Sequence, residues 1–91
     1  MARVEYVEKT IAQIEKFSRV AFYKNGVNVK GNKEDMPQYP YAMAARSDWT
    51  VAEWRKNRFL QCYPGYDVKV YMQDGTEAGG GMKLATVRGE N

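Results

Sequence analysis

Val4, Val7, Ile11 and Ile14 recur at steps of three and four residues, and Phe17 continues near the same face. This period puts one apolar stripe on a helix, and Glu5 and Lys9 add a favourable pair one turn apart. A helix is expected over residues 4–18. Its rival is a strand over residues 3–8, which alternate locally.

Residues 19–31 change period to two. Asn25-Gly26 is the signature of a type I′ hairpin turn. Pairing across it sets Phe22 opposite Val29 and Lys24 opposite Val27. Val20, Phe22, Val27 and Val29 then share one face, and Ala21, Tyr23, Asn28 and Lys30 the other. Residues 32–40 are polar and carry Pro37 and Pro40, so they read as a loop; residues 41–46 follow as a short third strand.

Ser47-Asp48-Trp49-Thr50 launches the best-specified element. Thr50 and Glu53 match a capping box, while Trp49 and Trp54 occupy the two positions of a hydrophobic staple. Tyr63-Pro64-Gly65 ends the helix, because the residue before proline is driven out of the α region. A helix is therefore expected over residues 50–62. Residues 66–73 alternate, with Val68, Val70 and Met72 on one face. Asp74-Gly75 reads as a second hairpin turn, and residues 82–88 as a returning strand. Gly79-Gly80-Gly81 should bulge that strand or leave a mobile arm. The order α-β-β-(β)-α-β-β defines a single α+β domain over residues 1–91, with residues 1–3 and 89–91 frayed. Two helices would pack on one face of an antiparallel sheet of four to five strands.

A wheel of the second helix carries an internal conflict. With Val51 at zero, Trp54 falls near about −60°, Arg58 near about −20°, Arg55 near about 40° and Leu60 near about 180°. Arg55 thus sits inside the apolar stripe, and Trp54 and Leu60 cannot share one covered face. Either the arginines lay their stems along the core edge, or the helix forms part of an interface. Tyr39, Tyr41, Arg46, Trp49, Trp54, Arg55, Arg58 and Leu60 are the candidates for such a partner-binding surface, because Trp, Tyr and Arg dominate binding hot spots.

Composition narrows the functional classes. Hydrophobic residues make up 44% of the chain and aromatic residues 13%, enough for a packed core. Lys and Arg number 14 against 11 Asp and Glu, so the net charge of +3 permits an acidic partner. A nucleic-acid-binding alternative would use Arg46, Arg55, Lys56, Arg58, Lys69, Lys83 and Arg88. Histidine is absent, which removes the commonest general base and metal ligand. The carboxylates Glu34, Asp35, Asp67, Asp74 and Glu77 lack the spacing of a calcium or zinc site. Neither Ser18 nor Ser47 sits in a nucleophile elbow. Gly79-Gly80-Gly81-Met82-Lys83 departs from a phosphate loop, because Met82 separates the glycines from Lys83 and no Ser or Thr follows. Cys62, the lone cysteine, reads as a structural thiol at the wrong end of its helix for activation. No catalytic residue, metal or cofactor is expected, and no membrane segment. A single cysteine without a signal peptide points to the cytoplasm. The hairpin edge and Leu60 make a homodimer a further expectation.

Tyr39-Pro40-Tyr41-Ala42-Met43-Ala44-Ala45-Arg46 and Trp49-Thr50-Val51-Ala52-Glu53-Trp54-Arg55 resemble segments of small bacteriophage accessory proteins. Val20-Ala21-Phe22-Tyr23-Lys24-Asn25-Gly26 is similar to a strand of one small anti-CRISPR type. The resemblance implies a non-enzymatic, phage-encoded inhibitor that binds a host protein complex in the host cytoplasm and blocks its substrate site. Many anti-CRISPR proteins are acidic nucleic-acid mimics. This chain is basic, so the resemblance would imply occlusion of a surface or contact with an acidic patch. A structural, self-associating virion component is the remaining alternative.

Overall fold

The computed structural model describes residues 2–89. Helix α1 spans Val4–Glu15 and buries Val4, Val7, Ile11 and Glu15. The chain leading into it pairs in extended form, Ala2 bridging Met36, so residues 2–3 are tied down where fraying was expected. The first helical amides, of Val4 and Glu5, donate to the carbonyls of Lys33 and Gly31. Lys16 enters the left-handed region (φ 62°) and stops the helix three residues before the expected end. That turn lets Phe17 fold back into the core and frees Arg19 to start a strand. The rival strand over residues 3–8 is thereby overturned.

Strands β1 (Arg19–Lys24) and β2 (Val27–Asn28) form the expected hairpin, with Tyr23 opposite Asn28 and Lys24 opposite Val27. Asn25 and Gly26 both have positive φ, as a type I′ turn requires. The ladder then opens. Val29 still donates to the Phe22 carbonyl, but the Phe22 amide donates to Glu8 Oε2 at 2.8 Å instead of returning to Val29. This side-chain substitute ends β2 after two residues and sends the chain across the start of α1. Val27, placed by alternation on the inner face, is 68% exposed at the hairpin tip.

Strand β3 (Asp67–Tyr71) pairs antiparallel with β1, giving a three-stranded sheet in the order β2-β1-β3. Val20 faces Val70 and Phe22 faces Val68 on the inner side. Helix α2 lies across that side, the Phe22 ring standing edge-on to Phe59 and Tyr63 at 5.0 Å from each. Its residues 51–62 comprise α-helical Val51–Trp54, a π-helical segment Arg55–Phe59, and α-helical Leu60–Cys62. The capping box forms as expected, Glu53 N–H donating to Thr50 Oγ1 and Thr50 N–H to Glu53 Oε1.

The rest of the expected sheet is absent among the described residues. Residues 41–46 form no strand, because side chains take over their backbone groups: Glu15 accepts the Ala45 amide and Arg58 donates to the Met43 carbonyl. Asp74-Gly75 does turn, but the returning chain adds a single bridge, Tyr71 to Glu77. Leu84–Arg88 is a helix, α3, where a strand was expected. Leu84 and Val87, three apart and both buried, form a helical pair, and Gly89 caps the end with φ 76°. Gly79–Gly81 is neither a bulge nor a free arm. The Gly80 and Met82 carbonyls accept the amides of Ala52 and Val51, so this turn completes the N-terminal cap of α2. Among the described residues the architecture is α-β-β-α-β-α, three strands and three helices rather than four or five strands and two. Met1, Glu90 and Asn91, also expected to fray, lie outside the described residues.

Removing the Thr50 hydroxyl should cost about 1 kcal/mol of stability. Urea denaturation of Thr50→Ala measures this, with Val27→Thr at the exposed hairpin tip as a control expected to stay within about 0.5 kcal/mol of the parent.

Candidate functional site

Buried positions on α2 run Val51, Trp54, Phe59 and Tyr63. The step of five between Trp54 and Phe59 has no place on an α-helix, and it coincides with the π segment. A π turn inserts one residue. Subtracting it moves Phe59, Leu60 and Tyr63 to about −20°, 80° and 20°, beside Val51 at zero and Trp54 at about −60°. The conflict on the wheel disappears, with Leu60 half-buried at the edge of the core.

Arg58, carried on this π segment, reaches Glu15. Glu15 has no solvent exposure, and four donors meet its carboxylate. Tyr39 Oη and Arg58 Nη1 reach Oε2 at 2.5 and 2.6 Å, while the Ala45 amide and Arg88 Nη2 reach Oε1 at 2.8 and 3.2 Å. These saturate the acceptor sites of a carboxylate. Arg88 also donates through Nε to the Glu15 main-chain carbonyl and through Nη1 to Ser47 Oγ. Tyr39 Oη accepts in turn from Trp54 Nε1 at 3.1 Å. Burial and the neighbouring Glu15 carboxylate both push the Tyr39 phenol well above its ordinary range.

The proposed partner surface is thus largely internal. Trp54 is fully buried with its ring edge-on to Phe17 at 5.1 Å, and Tyr39 is buried beside it. The Arg58 side chain, 16% exposed, pairs with Glu15 and stacks over Tyr41 at 4.3 Å. Trp49 and Leu60 pack half-buried against the core. Arg55 pairs with Asp67 at 2.8 Å and the exposed Arg46 with Asp48 at 2.9 Å. The alternative basic set is dispersed for the same reason. Arg88 has a side chain only 3% exposed, and Lys83 bridges Thr50 through its backbone. Lys56 is exposed on α2, and Lys69 belongs to the sheet.

On its outer face, the sheet brings together residues that neither set contained, apart from Lys69. Arg19 stands opposite Tyr71, Ala21 opposite Lys69, and Tyr23 opposite Asp67. Tyr23 and Tyr71 therefore flank the central Ala21–Lys69 pair on this face, close enough for their phenols to influence each other's ionisation. Ala21 is buried, Arg19 exposed, and Tyr23, Lys69 and Tyr71 half-exposed. Arg19 lies over the Tyr71 ring at 4.1 Å, and Lys69 over the Tyr23 ring at 4.4 Å. Its interaction with Tyr71, then with Asn28, holds the Tyr23 phenol below its ordinary value, while that with Tyr23 holds the Tyr71 phenol above it. Glu77 lies 3.8 Å from Lys69. Alternation in both strands already placed these residues opposite the core, so the signal was present in the sequence. What it lacked was the pairing of β1 with β3.

A cleft of about 320 Å³ also opens between α1 and β1, lined among others by Glu5, Glu8, Lys9, Ser18, Arg19 and Asn28. Burial raises the Glu8 carboxyl, and the bond from the Phe22 amide opposes that rise. Among the described residues no three His, Cys, Asp or Glu side chains are grouped to hold a metal ion, and no helix is long and apolar enough to cross a membrane. Compared with protein-family models, with curated proteins and with solved structures, the chain matches none.

Glu15→Gln should destabilise the fold by about 3–5 kcal/mol, because it leaves two arginines without their buried counter-charge. A loss below about 1 kcal/mol in chemical denaturation would show that the cluster is not what holds these segments. A second expectation concerns alkaline pH. Burial holds the Tyr39 and Tyr63 phenols above the ordinary value of 10.0 in the folded state, so native protein keeps those protons more tightly. Their contribution is complete below pH 10 and is lost as pH rises beyond it. Between about pH 8 and pH 11, the denaturation midpoint should fall further in the parent than in Tyr63→Phe, which lacks one of the two groups; equal falls would contradict the assignment.

Proposed function

We propose that this chain is a non-enzymatic binding domain that engages its partner through the outer face of the sheet, around Arg19, Tyr23, Lys69 and Tyr71. The observation that carries the reading is two tyrosines on one sheet face with a cation over each ring. Tyr and Arg contribute disproportionately at binding surfaces. Side chains borne on paired strands are also ordered before a ligand arrives, which lowers the entropy lost on binding. Two groups that could serve acid–base or nucleophilic chemistry are poorly placed for it. Glu15 has its acceptor sites filled, and burial pushes the Cys62 thiol above its ordinary range.

An inhibitor docking on a host protein complex, as the phage-type resemblance implies, is one form of this reading. One observation favours a contact elsewhere: Met43 is 78% exposed in the segment carrying Tyr41, beside Arg58.

Amide chemical-shift mapping tests the two surfaces with a panel of a single-stranded oligonucleotide, an acidic peptide and a neutral oligosaccharide. At least one ligand should move residues 19–23 and 67–71, and the folded Tyr23→Ala/Tyr71→Ala variant should abolish the shifts. Movement confined to Tyr41, Met43 and Arg58 would transfer the surface to that segment, and no movement with any ligand would overturn the proposal.

A further inference from the structure

Resting on that reading of the sheet face, we propose that its ligand is a single-stranded nucleic acid, with bases stacked on the Tyr23–Tyr71 platform and phosphates paired with Arg19 and Lys69. Every base has a π face, so an aromatic platform with adjacent cations accepts single strands with little sequence preference. The two cations do not block the platform. Arg19 is exposed, with its guanidinium carbon 4.1 Å from the Tyr71 centroid, so it can yield the ring to a base and pair with a phosphate. Lys69 is a point charge on a flexible stem, able to swing from the Tyr23 ring to a phosphate.

Shape favours a single strand over a duplex. The residues lie on a sheet face rather than on a helix or ribbon projecting into a groove, and duplex bases expose only their edges. Charge points the same way, although two carboxylates border the platform. Asp67 is neutralised by Arg55 at 2.8 Å. Glu77 competes for Lys69 at 3.8 Å, which leads to a specific consequence: removing Glu77 should strengthen binding of a polyanion and leave a neutral ligand unaffected. The chain as a whole carries +3.

Fluorescence anisotropy with a labelled oligothymidylate of about twelve nucleotides, within the usual site size of such platforms, reads the outcome. The logarithm of affinity should fall with the logarithm of salt with a slope of about −0.7 per phosphate contacted, so about −1.4 for two contacts. Arg19→Gln or Lys69→Gln should remove about half of that slope. Tyr23→Leu or Tyr71→Leu, checked for an unchanged fold by circular dichroism, should weaken binding about tenfold or more. Glu77→Gln should tighten it. No binding at low salt, or binding indifferent to both Tyr→Leu changes, overturns the assignment. A poly-glutamate peptide that binds this face and weakens with Arg19→Gln, when the oligonucleotide does not bind, would discard the nucleic acid and keep the surface. If neither these polyanions nor a neutral oligosaccharide moves the face, both proposals fall.

Discussion

The carboxylate of Glu15 holds four separate parts of the chain in one arrangement. Carried on the last residue of α1, it takes the Tyr39 hydroxyl and the Ala45 amide from the irregular segment before α2, pairs with Arg58 of the π turn, and anchors Arg88 at the end of α3. Burying three charged groups carries a desolvation penalty of several kcal/mol per ion, and the gain from pairing them does little more than offset it. What the cluster contributes is uniqueness. An apolar core of this size tolerates many packings, but this carboxylate is satisfied in only one of them.

The π turn in α2 follows from the same constraint. Trp54 must point inward to meet Phe17 and donate to Tyr39, and Phe59 must point inward to meet Phe22. Five residues separate Trp54 from Phe59, too many for one α-helical turn. The surplus is absorbed where Arg58 is needed at Glu15 and Arg55 at Asp67. Two arginines in an apolar stripe, which resembled an exposed contact surface, are instead paired with carboxylates of neighbouring elements. The surface proposed for a partner is therefore the other side of the sheet.

Much of the fold could be read from local signals, and the misses share one cause. The first helix, the Asn25-Gly26 hairpin and the Thr50–Glu53 capping box rest on short-range chemistry, and each forms. The third strand was assigned from its place after the proline-bearing loop, and the last from the turn at Asp74-Gly75. Their backbone groups were claimed instead by distant partners: Glu15 for Ala45, and Ser47 and Trp49 for the amides of Ala85 and Leu84. Glu15 itself was visible as a carboxylate four residues beyond Ile11, on the apolar stripe of α1. The sequence marked it as out of place without showing which cations would come to it. At the sheet face the side-chain set was legible strand by strand, but placing Tyr23 and Tyr71 on either side of the Ala21–Lys69 pair depends on a register between strands more than forty residues apart.

The turn at Gly79–Gly81 has a consequence for how the molecule is made. Its carbonyls finish the cap of a helix that begins about thirty residues earlier, and Arg88 closes on Glu15 across 73 residues. Chains generally begin to fold from the N-terminus during synthesis, yet here the cap of α2 and the second arginine of Glu15 are supplied only once residues 79–88 have been made. Until then the carboxylate of Glu15 lacks Arg88, and the turn and helix of that segment complete the arrangement.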